Sequence, residues 1–400
     1  MWNNDIKEKI KKTLSYTAKR DCIITLITCI VVSIVIGAFI VYLRRDEDKT
    51  IKVGVVYVGD ASTMYTNNFI EALSDIEQEY NGKVEIVSMY NVAEGTERDY
   101  LERLVSDGCN MIFSTSYNYG VTTKELAQKY PEVQFCMATC SNANEEPYLK
   151  NYHTFMGAIY QGRYAAGVAA GMKLKELIDD GIISESEAKI GYVGAYPYAE
   201  VISGYTAFLL GARSVVPQAV MTVKYTNSWN DPTIESQVAK ALIDRGCDVI
   251  SQHSDSTAPA TTAEDNGVWQ VGYNNDMIAA APNASLVSPR IDWGIYVTEA
   301  VQAVIDGKEI PADWCKGYAD GAVYLSPLNE KIAAEGTQEA IDKAAEALKN
   351  GELFVFGGPL KGVSPDGEKI EVAEGDHFPE QEEASAPSWQ YIIEGCNVVQ

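Results

Sequence analysis

A tryptophan in a polar turn is the residue of this chain most suited to ligand recognition. Residues 227–232 read NSWNDP and join a strand-like run to a helical one. The large flat ring of Trp229 would be exposed there unless another flat group stacks on it, so we predict a ligand-stacking role. Asp231, followed by Pro232, is equally well placed to cap the next helix, which is a purely structural role.

Polar and aromatic side chains follow several other strand-like runs. Hydroxyl, amide and carboxyl groups of this kind recognise neutral sugars and heterocycles, although capping of the following helices would use the same residue types. Tyrosine and tryptophan rings add flat surfaces, and an arginine adds a cation that could pair with a carboxylate or an anionic ligand. The predicted ligand-binding residues are Asp60, Tyr65, Ser116, Tyr117, Trp229, Asp255, Asn274, Asp276, Arg290 and Trp293.

Composition argues against catalysis and against nucleic acid as a partner. The chain has 3 histidines and 8 cysteines, without the spacing of a metal site, so neither a metal nor another cofactor is expected. It also lacks a glycine-rich phosphate loop and a GxSxG elbow. A net charge of −24 disfavours binding to phosphate backbones. We therefore expect a binding protein and not an enzyme.

Strand-like and helical runs alternate along two successive stretches of the chain. The first stretch has strand-like runs at 51–58, 84–89, 111–113 and 133–137, and the second has them at 189–193, 219–225, 249–251 and 269–272. Helical spacing between the runs predicts parallel sheets covered by helices on both faces. Two such units predict two lobes, with a ligand in the cleft at the carboxyl ends of the strands.

An uncharged segment at residues 22–43 precedes these units. A helix of that length spans the roughly 30 Å hydrocarbon core, and the basic residues before it favour a cytoplasmic N-terminus at 1–21. A cleaved signal peptide is the alternative, but the segment is longer than usual for one and no small-residue cleavage site follows it. We expect a single-pass anchor in the cell membrane with the rest of the chain outside the cytoplasm.

The strand-end motifs, taken in order, resemble those of the basic membrane protein family, the purine-nucleoside-receptor-like substrate-binding proteins of ABC importers. The resemblance covers about residues 51–360. The motifs are 114–119 (STSYNY), 162–167 (GRYAAG), 227–232 (NSWNDP), 241–250 (ALIDRGCDVI), 252–256 (QHSDS) and 272–277 (GYNNDM).

This resemblance implies a type I periplasmic-binding-protein fold with two Rossmann-like lobes joined by hinge crossovers. We expect residues 51–155 and 284–310 in the first lobe, and 156–283 and 311–400 in the second. Partners implied by the family are an ABC permease and its ATPase, with a purine base or nucleoside as the ligand. A membrane-tethered sensor with the same fold and no transport role is the alternative.

The family also implies roles for individual residues. Trp229 falls where an aromatic residue stacks on the base, and Tyr65 is the nearest candidate for the second stacking ring, since the loop after Asp60 departs from the family pattern. Asn274 stands where nucleoside-binding relatives carry a ribose-facing aspartate. Arg290 falls near the position of a basic residue that belongs to the ribose end of the site in those relatives. Together these two positions favour a free base over a nucleoside as the ligand.

Overall fold

A computed structural model describes residues 2–47 and 50–399. The chain divides into two compact units, one ending at Thr50 and the other beginning at Ile51. Helices in the described residues are α1 (Trp2–Glu47), α2 (Met64–Glu79), α3 (Glu97–Ser106), α4 (Gly120–Lys129), α5 (Ile159–Asp179), α6 (Ala199–Arg213), α7 (Pro232–Ile243), α8 (Ala258–Asp265), α9 (Trp293–Asp306) and α10 (Thr337–Lys349).

Sixteen strands are described in the second unit. They are β1 (Ile51–Val56), β2 (Val84–Met89), β3 (Met111–Ser114), β4 (Gln134–Ala138), β5 (Tyr152–Gly157), β6 (Lys189–Gly194), β7 (Val220–Tyr225), β8 (Val249–Gln252), β9 (Trp269–Val271), β10 (Pro289–Ile291), β11 (Asp313–Lys316), β12 (Val323–Leu325), β13 (Leu360–Val363), β14 (Lys369–Val372), β15 (Ile392–Ile393) and β16 (Cys396–Val399).

The first unit is the helix α1, which contains the predicted apolar segment 22–43. Within the described residues, α1 is the one helix long and apolar enough to cross a membrane, with a mean hydropathy of 2.1 over its most apolar stretch. Ile24, Val31 and Ile34 are among the apolar side chains that are more than half exposed along it. A continuous apolar surface of this kind is unfavourable in water, as expected for a signal sequence or a membrane anchor.

The second unit is built around two parallel sheets, which confirms the predicted α/β fold. The first sheet has the order β11-β5-β4-β3-β1-β2, and the second has the order β16-β7-β6-β8-β9. Parallel strands that are buried on both faces need continuous apolar runs, and Val53, Val55 and Val56 of β1 are fully buried accordingly. Each predicted strand agrees with an observed one to within two residues at either end.

The chain crosses between the two sheets more than once. After β5 the chain enters α5, which packs on α6 beside the second sheet. The strands β10 and β12 form a short antiparallel pair that packs on α5. Helix α9 returns to pack on α2 of the first lobe. The last strand, β16, pairs with β7 in the second sheet.

One predicted boundary is wrong. The sequence predicts residues 311–400 in the second lobe, yet β11 pairs with β5 at the edge of the first sheet, with Asp313 opposite Thr154. This pairing covers the edge of β5 and buries Trp314 to 4% exposure. The first lobe therefore ends with a strand that comes from beyond residue 310.

Candidate ligand-binding site

The carboxyl ends of both sheets face a common cavity. The space between its walls is about 400 Å³, part of which is open to solvent. It is lined from the first lobe by Val58, Tyr65, Thr115, Ser116, Tyr117 and Thr139, and from the second by Glu200, Trp229, His253, Asp255, Tyr273 and Asn274. Apart from Tyr65 and Glu200, which lie in the first turns of α2 and α6, these residues come just after a strand, where the α/β pattern predicts a ligand.

Internal hydrogen bonds fix the first-lobe wall. Tyr65 reaches across from α2 and donates its hydroxyl to the carbonyl oxygen of Thr115 over 2.5 Å. Ser116 donates to the carboxylate of Glu94 over 2.5 Å, while Tyr117 stays 48% exposed at the mouth. The hydroxyls of Tyr65 and Ser116 therefore both have acceptors within the protein, and these bonds hold the two side chains in place.

Backbone strain accompanies the strand ends. Thr139, directly after β4, has a φ of +64°, and Asn274, after β9, also has +64°. The left-handed region is unfavourable for a β-branched residue such as threonine, by about 1–2 kcal/mol. Strained residues of this type cluster at functional sites, because the surrounding structure has to hold them.

Trp229 forms part of the second-lobe wall. Its ring is partly buried and contacts Tyr196 edge-on at 5.2 Å between centroids, with Tyr198 at 6.1 Å and His253 at 6.4 Å. Its carbonyl oxygen accepts from the backbone N–H of Asp255 over 2.8 Å, which ties two strand-end loops together. These contacts hold the indole in place as a preformed flat surface.

The capping interpretation of Asp231 is confirmed. Its carboxylate accepts from the backbone N–H of Ile234 over 3.0 Å at the start of α7, with Pro232 as the first helical residue. Asp231 therefore orients the loop that carries Trp229 and is absent from the cavity lining.

Asp255 is a buried carboxyl group in the cavity wall. It is 7% exposed and accepts from the side-chain amide of Asn274 over 3.0 Å. Burial raises its pKa well above the usual value, and the nearby carboxylate of Glu235 raises the pKa further. The group is therefore biased toward its neutral form, which can donate as well as accept.

Glu200 and His253 complete the polar part of the wall. The imidazole Nε2 of His253 lies 3.3 Å from a carboxylate oxygen of Glu200. Burial, followed by the neighbouring charge of Arg163, lowers the pKa of His253 to about 4, so the ring is neutral near pH 7. Sequence reasoning did not select Glu200, His253, Tyr273 or Thr139 as site residues, although each lies in or beside a strand-end loop.

Six of the ten predicted site residues are brought together here. Tyr65, Ser116, Tyr117, Trp229, Asp255 and Asn274 line the cavity. Asp60 does not line it, because its carboxylate accepts from Ser62 and Asn91, and these bonds lower its pKa to about 2. Asp276 is exposed and accepts from the backbone N–H of Ile278 over 2.8 Å, which is a local turn contact.

Arg290 and Trp293 also lie outside the cavity lining. Arg290 donates to the carboxylate of Glu71 over 2.9 Å and to the side-chain oxygen of Asn68 over 3.0 Å. Trp293 is 1% exposed and stacks on Phe69 with 4.2 Å between ring centroids, so it belongs to the core of the first lobe. Both residues support the elements around the cleft.

Among the described residues, no group of three or more histidine, cysteine, aspartate or glutamate side chains is placed to hold a metal ion. The site thus consists of aromatic rings, hydroxyls, amides and carboxyl groups.

Comparison with known proteins identifies the family. Residues 50–353 match the family model described as ABC transporter substrate-binding protein, PnrA-like. The chain belongs to this family. It is a solute-binding protein of the ABC-transporter type, as the strand-end motifs predicted, and the transporter assignment favours this function over that of a sensor without transport.

Two curated relatives align over most of this family member. One is a purine-binding protein of Brucella abortus, 33% identical over 333 residues, covering 83% of this chain and 90% of the relative. The other is a putative ABC transporter glucose-binding protein of Haloferax volcanii, 32% identical over 316 residues, covering 78% of this chain and 75% of the relative.

Solved structures of solute-binding proteins share the fold. The protein from Aeropyrum pernix superposes with a TM-score of 0.63 at 15% identity, over 79% of this chain and 94% of that one. The protein from Conexibacter woesei superposes with a TM-score of 0.61 at 16% identity, over 76% of this chain and 97% of that one. At these identities the similarity concerns the fold alone.

Proposed function

We propose that this chain is a membrane-anchored receptor that captures a purine base between its two lobes and delivers it to an ABC permease and its ATPase. The observation that carries the proposal is the composition of the cavity: aromatic rings from both lobes, with carboxyl, amide and hydroxyl groups at its edge. Family membership supports the transport role, and the purine-binding protein of Brucella abortus supports the ligand.

The aromatic walls suit a flat heterocycle. Trp229 and Tyr273 stand on the second-lobe side, and Tyr65 and Tyr117 on the first-lobe side. Stacking of a nucleobase on an aromatic side chain contributes about 1–3 kcal/mol for each base. A ligand held between rings of different lobes stabilises the closed state, and this difference in affinity is what shifts the equilibrium toward closure.

Charge narrows the ligand class. The described residues that line the cavity include two acidic residues, Glu200 and Asp255, and neither lysine nor arginine. A phosphorylated ligand would meet carboxyl groups without a compensating cation, which is unfavourable. A neutral purine offers N–H donors to these carboxyl groups and ring nitrogens to the hydroxyl and amide donors.

A free base fits better than a nucleoside. Asn274 donates its amide to Asp255, and Arg290 donates to Glu71 and Asn68, so both residues are engaged away from a ribose. A ribose could hydrogen-bond to either residue only by displacing these contacts, which bind elements around the cleft together. We therefore expect bases to bind more tightly than their nucleosides.

Binding to the purified full chain in detergent tests the proposal. Thermal unfolding and calorimetry are measured with adenine, hypoxanthine and guanine, their nucleosides, uracil and glucose. We expect one or more purine bases to raise the unfolding temperature and to give a one-to-one isotherm, because a ligand that binds only the folded state stabilises it. A response to glucose alone, or to none of the purines, would overturn the purine assignment; conversion of a bound purine to another compound would overturn the binding-only role.

The N-terminal helix is proposed as an uncleaved anchor, with the second unit outside the cytoplasm. Expressed in bacteria, the protein should stay in the carbonate-washed membrane fraction with the intact mass of the full chain. An antibody against the second unit should bind intact spheroplasts. A soluble product that lacks the α1 sequence would indicate a cleaved signal peptide instead.

A further inference from the structure

We propose that Glu200 determines ligand specificity by accepting an N–H group of the ligand, and that buried His253 and Arg163 act as positioning residues for its carboxylate. This inference rests on the proposed function, since it concerns the same cavity. Of the two acidic residues that line the cavity, Glu200 is the less buried, with a side chain that is 17% exposed.

The hydrogen bonds of His253 define its tautomer. Nδ1 of the ring lies 3.2 Å from a terminal nitrogen of the Arg163 guanidinium. Because arginine carries donors and no acceptor, the contact with Arg163 assigns Nδ1 as the unprotonated nitrogen of the neutral ring. The hydroxyl of Tyr192, which also lies 3.2 Å from Nδ1, then donates to the same nitrogen. Nε2 then carries the proton and donates it toward Glu200 over 3.3 Å.

The position of Arg163 makes this arrangement rigid. The residue is fully buried in α5, and its other terminal nitrogen donates to the carbonyl oxygen of Gln252 over 2.7 Å. Its guanidinium lies 3.5 Å from the ring centre of Tyr273, which is a cation–π contact with a cavity-lining residue. Arg163 therefore holds the loop after β8 and the ring of Tyr273 at once.

Burial of Arg163 without an ion pair is unusual. Within the described residues its guanidinium has no carboxylate in ion-pair contact, and its Nε has no hydrogen-bond partner. Burying a charge without a counterion costs free energy, so we expect Arg163 to have a role in the site that offsets this cost. A chain of hydrogen-bond contacts links Arg163 through His253 to the carboxylate of Glu200, which lines the cavity.

The chain of contacts gives Glu200 a fixed direction. Its oxygen Oε1 accepts from His253, and Glu200 lies in the first turn of α6, where a negative charge is favoured by the helix dipole. The remaining acceptor capacity of the carboxylate is available to the cavity. It is complementary to an N–H donor on the edge of a heterocycle and repels a bare lone pair at the same place.

A measurement without ligand tests the positioning part. With 3 histidines in the chain, selective 15N labelling of histidine gives few signals, and the His253→Gln variant assigns those of residue 253. We expect the nitrogen shifts of a neutral ring with a proton on Nε2 at pH 7. A proton on Nδ1, or an imidazolium at pH 7, would overturn the proposed positioning of Glu200 by His253 and Arg163, whether or not purines bind.

A measurement with ligand tests the specificity part, using whichever purine binds the wild-type chain. Glu200→Gln keeps the shape of the side chain but replaces one carboxylate oxygen by an amide donor. We expect its dissociation constant to rise about 10- to 100-fold, the effect of losing a charged hydrogen bond, while the unfolding temperature without ligand stays close to that of the wild type. Glu264→Gln, a carboxylate that accepts from Asn283 away from the cavity, is the matched control and should leave the affinity unchanged.

Two variants of His253 separate orientation from packing. His253→Gln retains an N–H donor that can reach Glu200 and should bind within about threefold of the wild type, whereas His253→Leu has no donor and should approach the weak affinity of Glu200→Gln. Unchanged affinity of Glu200→Gln would overturn the specificity role. If the wild-type chain binds no purine, the proposed function fails. The nitrogen shifts of His253 still test whether it positions Glu200 as proposed.

Discussion

The backbone N–H of Met64 donates to the carbonyl oxygen of Asp255 over 3.1 Å. Met64 begins α2, which follows the first strand of the first sheet, and Asp255 follows β8 of the second sheet. The hydrogen bond therefore joins the two lobes beside the cavity, and it uses a helix N-terminal donor that has no acceptor within its own helix. We expect this contact to break when the lobes open.

Met64→Pro should remove this bond and leave the helix intact. Proline is well tolerated at the first position of a helix, and the preceding Thr63 has φ −101° and ψ 133°, which suits a residue before proline. Met64→Ala keeps the N–H and loses the side chain, so it is the matched control. We expect ligand binding about two- to tenfold weaker in Met64→Pro than in Met64→Ala, measured by calorimetry. Equal affinities would mean that the bond does not contribute to closure.

Trp229→Ala should weaken binding of the purine by about 1–3 kcal/mol, because a stacking surface is lost. Trp229→Phe retains a flat ring and should recover most of the affinity. The comparison is made by titration calorimetry on folded variants with equal unfolding temperatures in the absence of ligand. A loss of affinity as large in the phenylalanine variant as in the alanine variant would argue against stacking and for a role of the indole edge.

The fold could be predicted from the sequence because its signals are local. Apolar runs such as that of β1, bounded by polar turns, set the strands, and their alternation with helices sets a parallel sheet. Strand β11 was not predicted because Asp313–Lys316 is only four residues long and has no apolar run of its own. It forms a strand because it pairs with β5. A short edge strand is determined by the sheet that it joins.

Binding-site residues could be predicted only where their place directly after a strand is enough to bring them to the cleft. Asp255, Trp229 and Ser116 follow strands, and strand ends meet at the cleft in this fold. Trp293 follows a strand as well, but as the first residue of α9 it turns into the core against Phe69, a direction that no sequence pattern specifies. His253 was missed because its partner Arg163 lies 90 residues away in the chain.

Asp255→Asn should stabilise the protein at neutral pH. The folded protein raises the pKa of Asp255 through burial and the charge of Glu235, so the folded state holds a proton that the unfolded state has released above the ordinary value of 3.8. Stability from this group is therefore full at low pH and falls as the pH rises above that value toward the raised pKa. Each unit of the pKa difference corresponds to about 1.4 kcal/mol.

Chemical unfolding of the full chain between pH 4 and pH 8 measures this effect. Asparagine keeps an oxygen that accepts from Asn274, so the variant should gain stability over the wild type at pH 7 and lose that gain toward pH 4. Asp265→Asn, at an exposed aspartate of the same lobe, is the control for the loss of one carboxylate. A constant difference across the pH range would contradict the raised pKa.

The contact between α5 and α6 should tolerate no side chain at its glycines. A Cβ atom on Gly167 would lie 2.1 Å from the carbonyl oxygen of Phe208, and one on Gly211 would lie 2.0 Å from that of Tyr164. Since both obstacles are backbone atoms, the helices would have to move apart, and such overpacking costs typically about 1–3 kcal/mol. Helix α5 carries Arg163 and α6 carries Glu200, so separation of the helices should also disturb the ligand site.

Gly167→Ala and Gly211→Ala should each lower the free energy of unfolding by at least about 1 kcal/mol and weaken ligand binding as well. Gly37→Ala is the control, because nothing lies within 4 Å of a Cβ atom there. Denaturant unfolding and calorimetry on the three variants measure both quantities. Wild-type stability in either α5 or α6 variant would mean that the two helices can part without cost, and the close glycine contact would then have no structural role.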